Sequence, residues 1–384
     1  MRTSPPIALT ILICGLALAI VDPPGDPIPV TGASHAASAP FDRLMIDLMK
    51  RYDIPGAAVA VSRHGQILVS RGYGYADLRE KRLVQPTSVF RIASVSKPVT
   101  AVAVLSLVDQ GRLRLEDRVF DVLRYEAAAD PRTANITVRQ LLEHSAGWDR
   151  DTSFDPMFHF GMSSPDRIIR EMLSRQLDFT PGAKHAYSNF GYCVLGRLIE
   201  RVTGKRYEEY VREQLLEPFN IKSMRIGGRK GNGPDEVHYH GGGAYNLLPD
   251  VMDAHGGWTS NAVDLVRFAN GSLGRGRTAV LRQETLDQMI ARPAPPLWQG
   301  TQHWYGLGWM VRSAGKGLNL WHGGAMPGTS SLLVCTHHGY TWAALFNRMP
   351  AVRGPFVSEL DRGLWEASRT AWPEVPAPGT RPAS

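Results

Sequence analysis

A chain of 384 residues with 43% hydrophobic content can bury one large core or the two lobes of one catalytic unit. Its net charge of +7, from 43 basic against 36 acidic residues, is spread along the whole length without a basic block or an aromatic RNA-binding pattern, which argues against a nucleic-acid partner. Three cysteines, Cys14, Cys193 and Cys335, fit no metal spacing; a Cys193–Cys335 disulfide is open to an exported chain, but two buried free thiols are the expectation.

Arg2 precedes an apolar stretch from Ile7 to Val21 that is short for a membrane span and is broken by Asp22-Pro23-Pro24, the pattern of an export signal. Small residues from Ala33 to Ala39 offer a cleavage site, and an uncleaved anchor on a flexible stalk is the alternative. Residues 1–40 are thus expected to be an export signal or anchor plus linker, placing the protein in the periplasm or outside the cell, with a membrane contact only through that anchor. Folded chain is expected over 41–370, and a Pro-rich disordered tail over 371–384.

Within 41–370, Phe41 to Tyr52 has helical periodicity, and Ala57 to Arg63 with Gln66 to Gly74 alternates around His64-Gly65 as a hairpin. Ser94-Val95-Ser96-Lys97 follows, ahead of Ala101, Val102, Leu105 and Val108 at helical spacing, with Gly111 as the stop and Pro98 tolerated in the first turn. Residues three apart on a helix share a face with Cβ atoms roughly 5–6 Å apart, so the Lys97 amine can reach the Ser94 hydroxyl. A serine is a poor nucleophile until a neighbour takes its proton, and an ammonium cannot do so until its surroundings lower a pKa of about 10.4. The tetrapeptide alone proves little, because Ser313-Ala314-Gly315-Lys316 repeats it; there glycines flank the lysine and no helix follows, so that copy reads as a turn.

From Arg112 to about Asp250 the chain reads as mostly helical: Val138 to Leu142, Asp166 to Arg175, Asn189 to Thr203 and Tyr207 to Leu216. Strands return at Leu307 to Arg312, Leu318 to Trp321, Ser330 to Thr336 and Tyr340 to Asn347, before a closing helix from Phe356 to Arg369. The assembly implied is α+β, an antiparallel sheet built from both chain ends and flanked by the first and last helices. One lobe spans about 41–111 and 251–370, and a helical lobe of about 112–250 is inserted between.

A groove between such lobes would let distant segments converge on Ser94. Tyr187-Ser188-Asn189 lies in a polar loop before a helix, where a phenol can relay a proton if a nearby ammonium stabilises its anion. Trp321-His322-Gly323-Gly324 ends a strand with two glycines that permit close backbone approach. His238-Tyr239-His240 and His337-His338 lack further ligands at metal spacing, so no metal and no cofactor is expected. There is no Gly-x-Ser-x-Gly elbow, phosphate-binding glycine loop or His-Glu-x-x-His.

These segments, in this order, resemble the serine β-lactamase-like hydrolases, a family that includes class C β-lactamases, D-stereospecific aminopeptidases, D,D-carboxypeptidases and related esterases. The resemblance covers roughly Phe41 to Arg369 and rests on Gly72 to Asp77, Phe90 to Lys97, Leu141 to Gly147, Tyr187-Ser188-Asn189, Gly256 to Ser260 with Asp264-Leu265, and His322-Gly323-Gly324 leading to Pro327-Gly328. It implies the β-lactamase/penicillin-binding-protein fold, with Ser94 as the acylated nucleophile, Lys97 keeping the proton network poised, and Tyr187 as general base for acylation and for the deacylating water, although which of Lys97 and Tyr187 takes the serine proton is disputed among related enzymes and stays open in the sequence. Asn189 would hold the substrate amide or the lysine, and the backbone N–H groups of Ser94 and Ala325 would form an oxyanion hole, each donor typically worth about 2.7–4 kcal/mol.

β-Lactamases usually carry Lys-Thr-Gly where this chain has His322-Gly323-Gly324, which offers an imidazole largely neutral at pH 7 and no hydroxyl. The expectation is therefore a serine hydrolase of small-molecule esters, amides or peptides, ahead of a β-lactamase or D,D-carboxypeptidase. A non-turnover penicillin or peptidoglycan-fragment binding protein is the alternative of another class. Trp148, Trp258, Trp304 and Trp321 either line an acyl pocket or are core residues.

Overall fold

The late strands contain long apolar runs without polar faces, and such strands must be covered on both sides. In the computed structural model, which describes residues 27–372 apart from 126–127, 153, 159–163, 232 and 277, that is what happens. The main sheet contains β1 (Val30–Thr31), β2 (Gly56–Arg63), β3 (Gln66–Asp77) and β4 (Arg82–Leu83) from the early chain. A small second sheet is made by β5 (Phe90–Arg91), β6 (Arg225–Ile226) and β7 (Trp258–Ser260), in the order β5-β7-β6. The late chain adds β8 (His303–Tyr305), β9 (Met310–Ala314), β10 (Gly317–Met326), β11 (Thr329–Cys335) and β12 (Tyr340–Phe346) to the main sheet, whose order is β1-β3-β2-β12-β11-β10-β9-β8, with β4 on β3. All pairings within these two sheets are antiparallel, and the two chain ends meet where β12 pairs with β2.

Side chains alternate between two cores. Val59 and Val61 of β2, Leu332 and Val334 of β11, and Trp342 and Phe346 of β12 point to one core, which α1 (Ala39–Arg51) and the closing helix cover. Ala58 and Ala60, Leu333 and Cys335, and Ala343 and Leu345 point to the other, larger core. That core holds α2 (Ser96–Asp109) and the lobe formed by α3 (Val119–Leu123), α4 (Val138–Leu142), α5 (Pro165–Leu173), α6 (Asn189–Thr203) and α7 (Tyr207–Val211). It is closed by α8 (Ala262–Ser272), which packs on β2 and β12, and by α9 (Gln283–Ile290); α10 (Arg353–Ala371) is the closing helix.

Several expectations shift. Parts of 27–40, expected as linker, are held against the fold, although 32–36 are exposed: Val30↔Tyr73 and Thr31↔Gly72 pair β1 with β3, and the Thr31 hydroxyl donates to the Val84 carbonyl. The export segment from Ile7 to Val21 lies outside the described residues. At the other end α10 runs to Ala371, and Trp372 packs its ring on Phe41 and Tyr340, so order extends past 370; residues 373–384 lie outside the description. The strand expected from Leu307 begins at Met310, because a tight turn in which Gly306 N–H bonds to the Trp309 carbonyl, with Gly308 at φ +88°, occupies 306–309. The helix from Tyr207 changes to a π-helical turn over Arg212–Leu216. Cys193 and Cys335 are buried free thiols, and Ser313–Lys316 is the β9–β10 turn with Gly315 at φ +63°.

Trp342 is fully buried and meets Trp365 of α10 edge-on at 4.9 Å. Trp342→Ala should lower the unfolding free energy by about 3–5 kcal/mol in urea denaturation; an unchanged midpoint would contradict the layer assignment.

Candidate active site

The serine sits on a strained turn. β5 pairs with β7 through Phe90↔Ser260 and Arg91↔Thr259, and Ile92 N–H still bonds to the Trp258 carbonyl at 3.0 Å. Ala93 then adopts φ +49°, left-handed for a residue with a Cβ, a conformation that costs roughly 1–2 kcal/mol and persists only where neighbours fix it. The Arg91 guanidinium helps fix it, lying 4.2 Å from the Tyr239 ring and donating to the Ala244 carbonyl. A 3-10 turn over Ala93–Val95 leads into α2, and Ser94 is the one partly exposed residue in the buried run from Phe90 to Leu107.

Lys97, in the first turn of α2, is completely buried. Its Nζ lies 2.7 Å from Asn189 Oδ1, 3.0 Å from the His255 carbonyl oxygen and 3.4 Å from Ser94 Oγ. The Tyr187 ring centroid is 4.6 Å away and that of Tyr192 5.6 Å. Burial pushes the amine well below the ordinary lysine range; Arg150 adds to this and Asp155 opposes it. A neutral amine has two hydrogens and one lone pair. Asn189 Oδ1 and the His255 carbonyl only accept, so they take the two hydrogens, and the lone pair is left for the Ser94 O–H.

Tyr187-Ser188-Asn189 is placed by a helix cap. Ser188 is extended and its hydroxyl accepts from Gly191 N–H at 3.2 Å, so α6 begins at Asn189 with its amide on Lys97, while Tyr187 stays outside the helix against Ser94. The Asn189 amide is oriented from behind, where its Nδ2 donates to Asp155 Oδ2 at 2.6 Å. His144, at φ +60°, fixes the same tripeptide, its Nδ1 accepting from Ser188 N–H at 3.2 Å and its ring 4.3 Å from that of Tyr187. The Tyr187 hydroxyl shares a hydrogen bond with Ser94; burial pushes the phenol up to about 12, against the pull of that bond and of the Arg150 and Arg353 charges. The phenol is therefore protonated at neutral pH.

The third segment approaches from β10. A Cβ on Gly324 would overlap the Ile92 carbonyl oxygen and the Ser331 hydroxyl, so only glycine lets β10 lie this close to the nucleophile turn. The Ser331 hydroxyl ties β11 to the same carbonyl at 2.8 Å. Gly323 and Ala325, two apart, are the partly exposed positions flanking it, and Ala325 stands opposite Ser330. His322 is turned inward. Its Nδ1 donates to the Gly323 carbonyl at 2.8 Å, which leaves Nε2 to accept from the Tyr305 hydroxyl at 3.0 Å, and burial pushes its pKa down to about 3. Both nitrogens are engaged within the protein, so the imidazole supports Tyr305.

Ser94, Lys97, Tyr187 and Asn189 thus converge, with the Gly323 to Ala325 backbone beside them. Trp148, Trp258 and Trp304 are buried core residues, and Trp321 packs against the α1/α10 core. The sequence reading missed Arg150, whose guanidinium lies 4.5 Å from the Tyr187 ring centroid, together with Asp155, Tyr305 and Arg353. His144, also missed, lay inside a segment already singled out, Leu141 to Gly147.

The Beta-lactamase family model matches residues 41–362. The chain belongs to the β-lactamase family. Within it, this member is 32% identical over 177 residues to Protein flp of Staphylococcus aureus strain MW2, covering 46% of this chain and 35% of that protein, so it spans about a third of that relative's length. Among solved structures it is similar to SurE with D-Leu, at 27% identity and TM-score 0.71 over 91% of this chain and 79% of that one. It also shares its fold with the D-amino acid amidase from Ochrobactrum anthropi SV3 complexed with L-phenylalanine amide, at 24% identity and TM-score 0.72 over 88% and 99% of the two chains.

Gly324→Ala should push β10 off the Ser94 turn and cut labelling of Ser94 by a fluorophosphonate probe by about 100-fold or more, with the circular dichroism spectrum retained. Unchanged labelling would show that the close approach has no bearing on the site.

Proposed function

We propose that this β-lactamase-family protein is a serine hydrolase that acylates Ser94 with carboxylic esters or with small amides and peptides. The observation that carries the reading is the Lys97 amine, buried with two carbonyl oxygens on its hydrogens and its third position on Ser94 Oγ. The base is then Lys97 in place of the Tyr187 that the resemblance implied, because burial raises the phenol and lowers the amine: in the acylation step Ser94 Oγ attacks the acyl carbon, its proton moves to Lys97 Nζ, and the developing oxyanion is met by the Ser94 and Ala325 N–H groups. The Tyr187 hydroxyl, a phenol at neutral pH, hands a proton to the leaving alkoxide or amine and is reprotonated from Lys97. Water then attacks the acyl carbon with the same groups in reverse, releasing the acid and restoring the Ser94 hydroxyl.

On the substrate side, His322 supplies neither an ammonium nor a free ring nitrogen, which supports esters and small amides ahead of β-lactams. Export through the Ile7 to Val21 segment is part of the same proposal, supported by the apolar run after Arg2 and its break at Asp22-Pro23-Pro24; recovery of the protein from a periplasmic or secreted fraction is the expected outcome, and recovery from the cytoplasm alone would overturn it.

Incubation with a chromogenic short-chain ester should give an acyl adduct by mass and steady turnover, lost at least about a thousandfold in Ser94→Ala; turnover that survives this change would overturn the assignment. A long-lived β-lactam adduct with no ester turnover would favour the receptor reading. The sign of the pH dependence also follows. Protonating Lys97 removes the lone pair, so kcat/KM should fall as pH drops through a midpoint well below the lysine value of 10.5. Lys97→Arg should be inactive at every pH, because a guanidinium does not give up its proton; a rate–pH profile shared with wild type would contradict Lys97 as the base.

A further inference from the structure

Two charges on the connection between α4 and α5 reach into the site without touching Ser94. Arg150 lays its guanidinium 4.5 Å from the Tyr187 ring centroid. Asp155 uses both oxygens: Oδ1 accepts from Met157 N–H at 3.1 Å at the start of the Pro156–Phe158 turn, and Oδ2 accepts from Asn189 Nδ2 at 2.6 Å. The connection is held from outside as well. Asp149 N–H bonds to Asp178 Oδ2 at 2.7 Å, the Asp149 carboxylate takes Lys184 Nζ at 2.9 Å, and Met157 is buried in the main core.

We propose that Arg150 and Asp155 are a pair of opposed positioning residues that set the proton poise of the Ser94 site, Arg150 through the Tyr187 ring and Asp155 through the Asn189 amide. The inference rests on the hydrolase reading above and adds the groups that tune it. The Asp155 contact decides which way the Asn189 amide faces: with Nδ2 on the carboxylate, Oδ1 must point to Lys97 and take one of its hydrogens. Reversing the amide would put an N–H against the amine and turn the lone pair away from Ser94.

The other groups near Lys97 and Tyr187 are Tyr192 of α6, Tyr305 of β8, His144, His255, His322 of β10 and Arg353 at the start of α10, with His185 behind them against His144 and Tyr305, and Asp151 paired with Arg150 at 3.3 Å. Burial holds the four imidazoles below their ordinary range and the tyrosines above theirs, so these stay neutral near pH 7. Arg353 acts on Tyr187 and His322. Arg150 and Asp155 act on both Lys97 and Tyr187 with opposite sign, Arg150 favouring the deprotonated forms and Asp155 the protonated ones.

The test is the acid limb of kcat/KM for the chromogenic ester in Arg150→Met, Asp155→Asn, Asp155→Ala and the Arg150→Met/Asp155→Asn double variant. Asp155→Asn keeps an oxygen for the Asn189 amide but removes the charge, so the limb should move to lower pH. Arg150→Met should move it to higher pH, and the double variant should return it towards wild type. Asp155→Ala should lower kcat about tenfold more than Asp155→Asn, with little change in KM, because only the alanine leaves the amide free to turn. Should a charge-removing variant fail to fold, Arg150→Lys and Asp155→Glu keep the charges and should hold the limb in place. Limbs that stay put, or move in the same direction, in variants with Ser94-dependent turnover overturn the pairing. Absence of Ser94-dependent turnover in the wild type tells instead against the hydrolase reading.

Discussion

An amine buried without a carboxylate in direct contact is the constraint on which the rest of the structure depends. Taking a charged lysine out of water costs several kcal/mol unless an opposite charge meets it, and Lys97 meets an amide oxygen, a backbone carbonyl and a hydroxyl. The group answers by giving up its proton. Its surroundings are then saturated in a particular sense, with two acceptors matched to two hydrogens and a lone pair left over. That leftover is directed at Ser94, which makes the burial of α2 a chemical device as well as a packing one.

Much of the surrounding fold can be read as support for this arrangement. The chain from Ser96 to Leu107 is buried on every side, since α2 lies between the sheet and the helical lobe and has no face left for water. The α6 cap at Ser188 delivers both Asn189 and Tyr187 to the amine, and His144 holds the cap. From the sheet, Gly324 brings β10 to the strained turn at Ala93, and Ser331 pins the carbonyl of Ile92 from the next strand. The His322 imidazole, where relatives with Lys-Thr-Gly carry a cation, is spent on Tyr305. Positive charge near Tyr187 comes instead from Arg150 and Arg353, outside β10.

The hairpin at His64-Gly65, the last strands, and the helices at Val138–Leu142 and Asn189–Thr203 were legible because their periodicity and turn residues are local signals. Ser94 and Lys97 were legible because a buried helix follows them and none follows the Ser313–Lys316 copy, and Tyr187 and Asn189 because their segment falls in the family's order. What escaped depends on distance in the chain. Ala262–Ser272 is the exception: it does carry apolar residues at helical spacing and an Asn261 cap whose side chain accepts from Asp264 N–H, but the reading of Asp264-Leu265 as part of a motif did not extend into a helix. β1 is two residues long and exists only because β3 offers an edge. Arg150 and Asp155 sit in a connection with no periodicity, and their partners Tyr187 and Asn189 are more than thirty residues away. The inward turn of His322 was equally hidden, because a histidine on a strand does not announce which side it faces.

The central claim, that Lys97 is a neutral amine serving Ser94, is tested most directly by titrating its side-chain nitrogen by NMR in protein with isotopically labelled lysine. The account predicts a Lys97 resonance that titrates well below the ordinary value of 10.5, apart from the other lysines. A Lys97 midpoint near 10.5 would mean that the buried group carries its charge at neutral pH, and the account would fail.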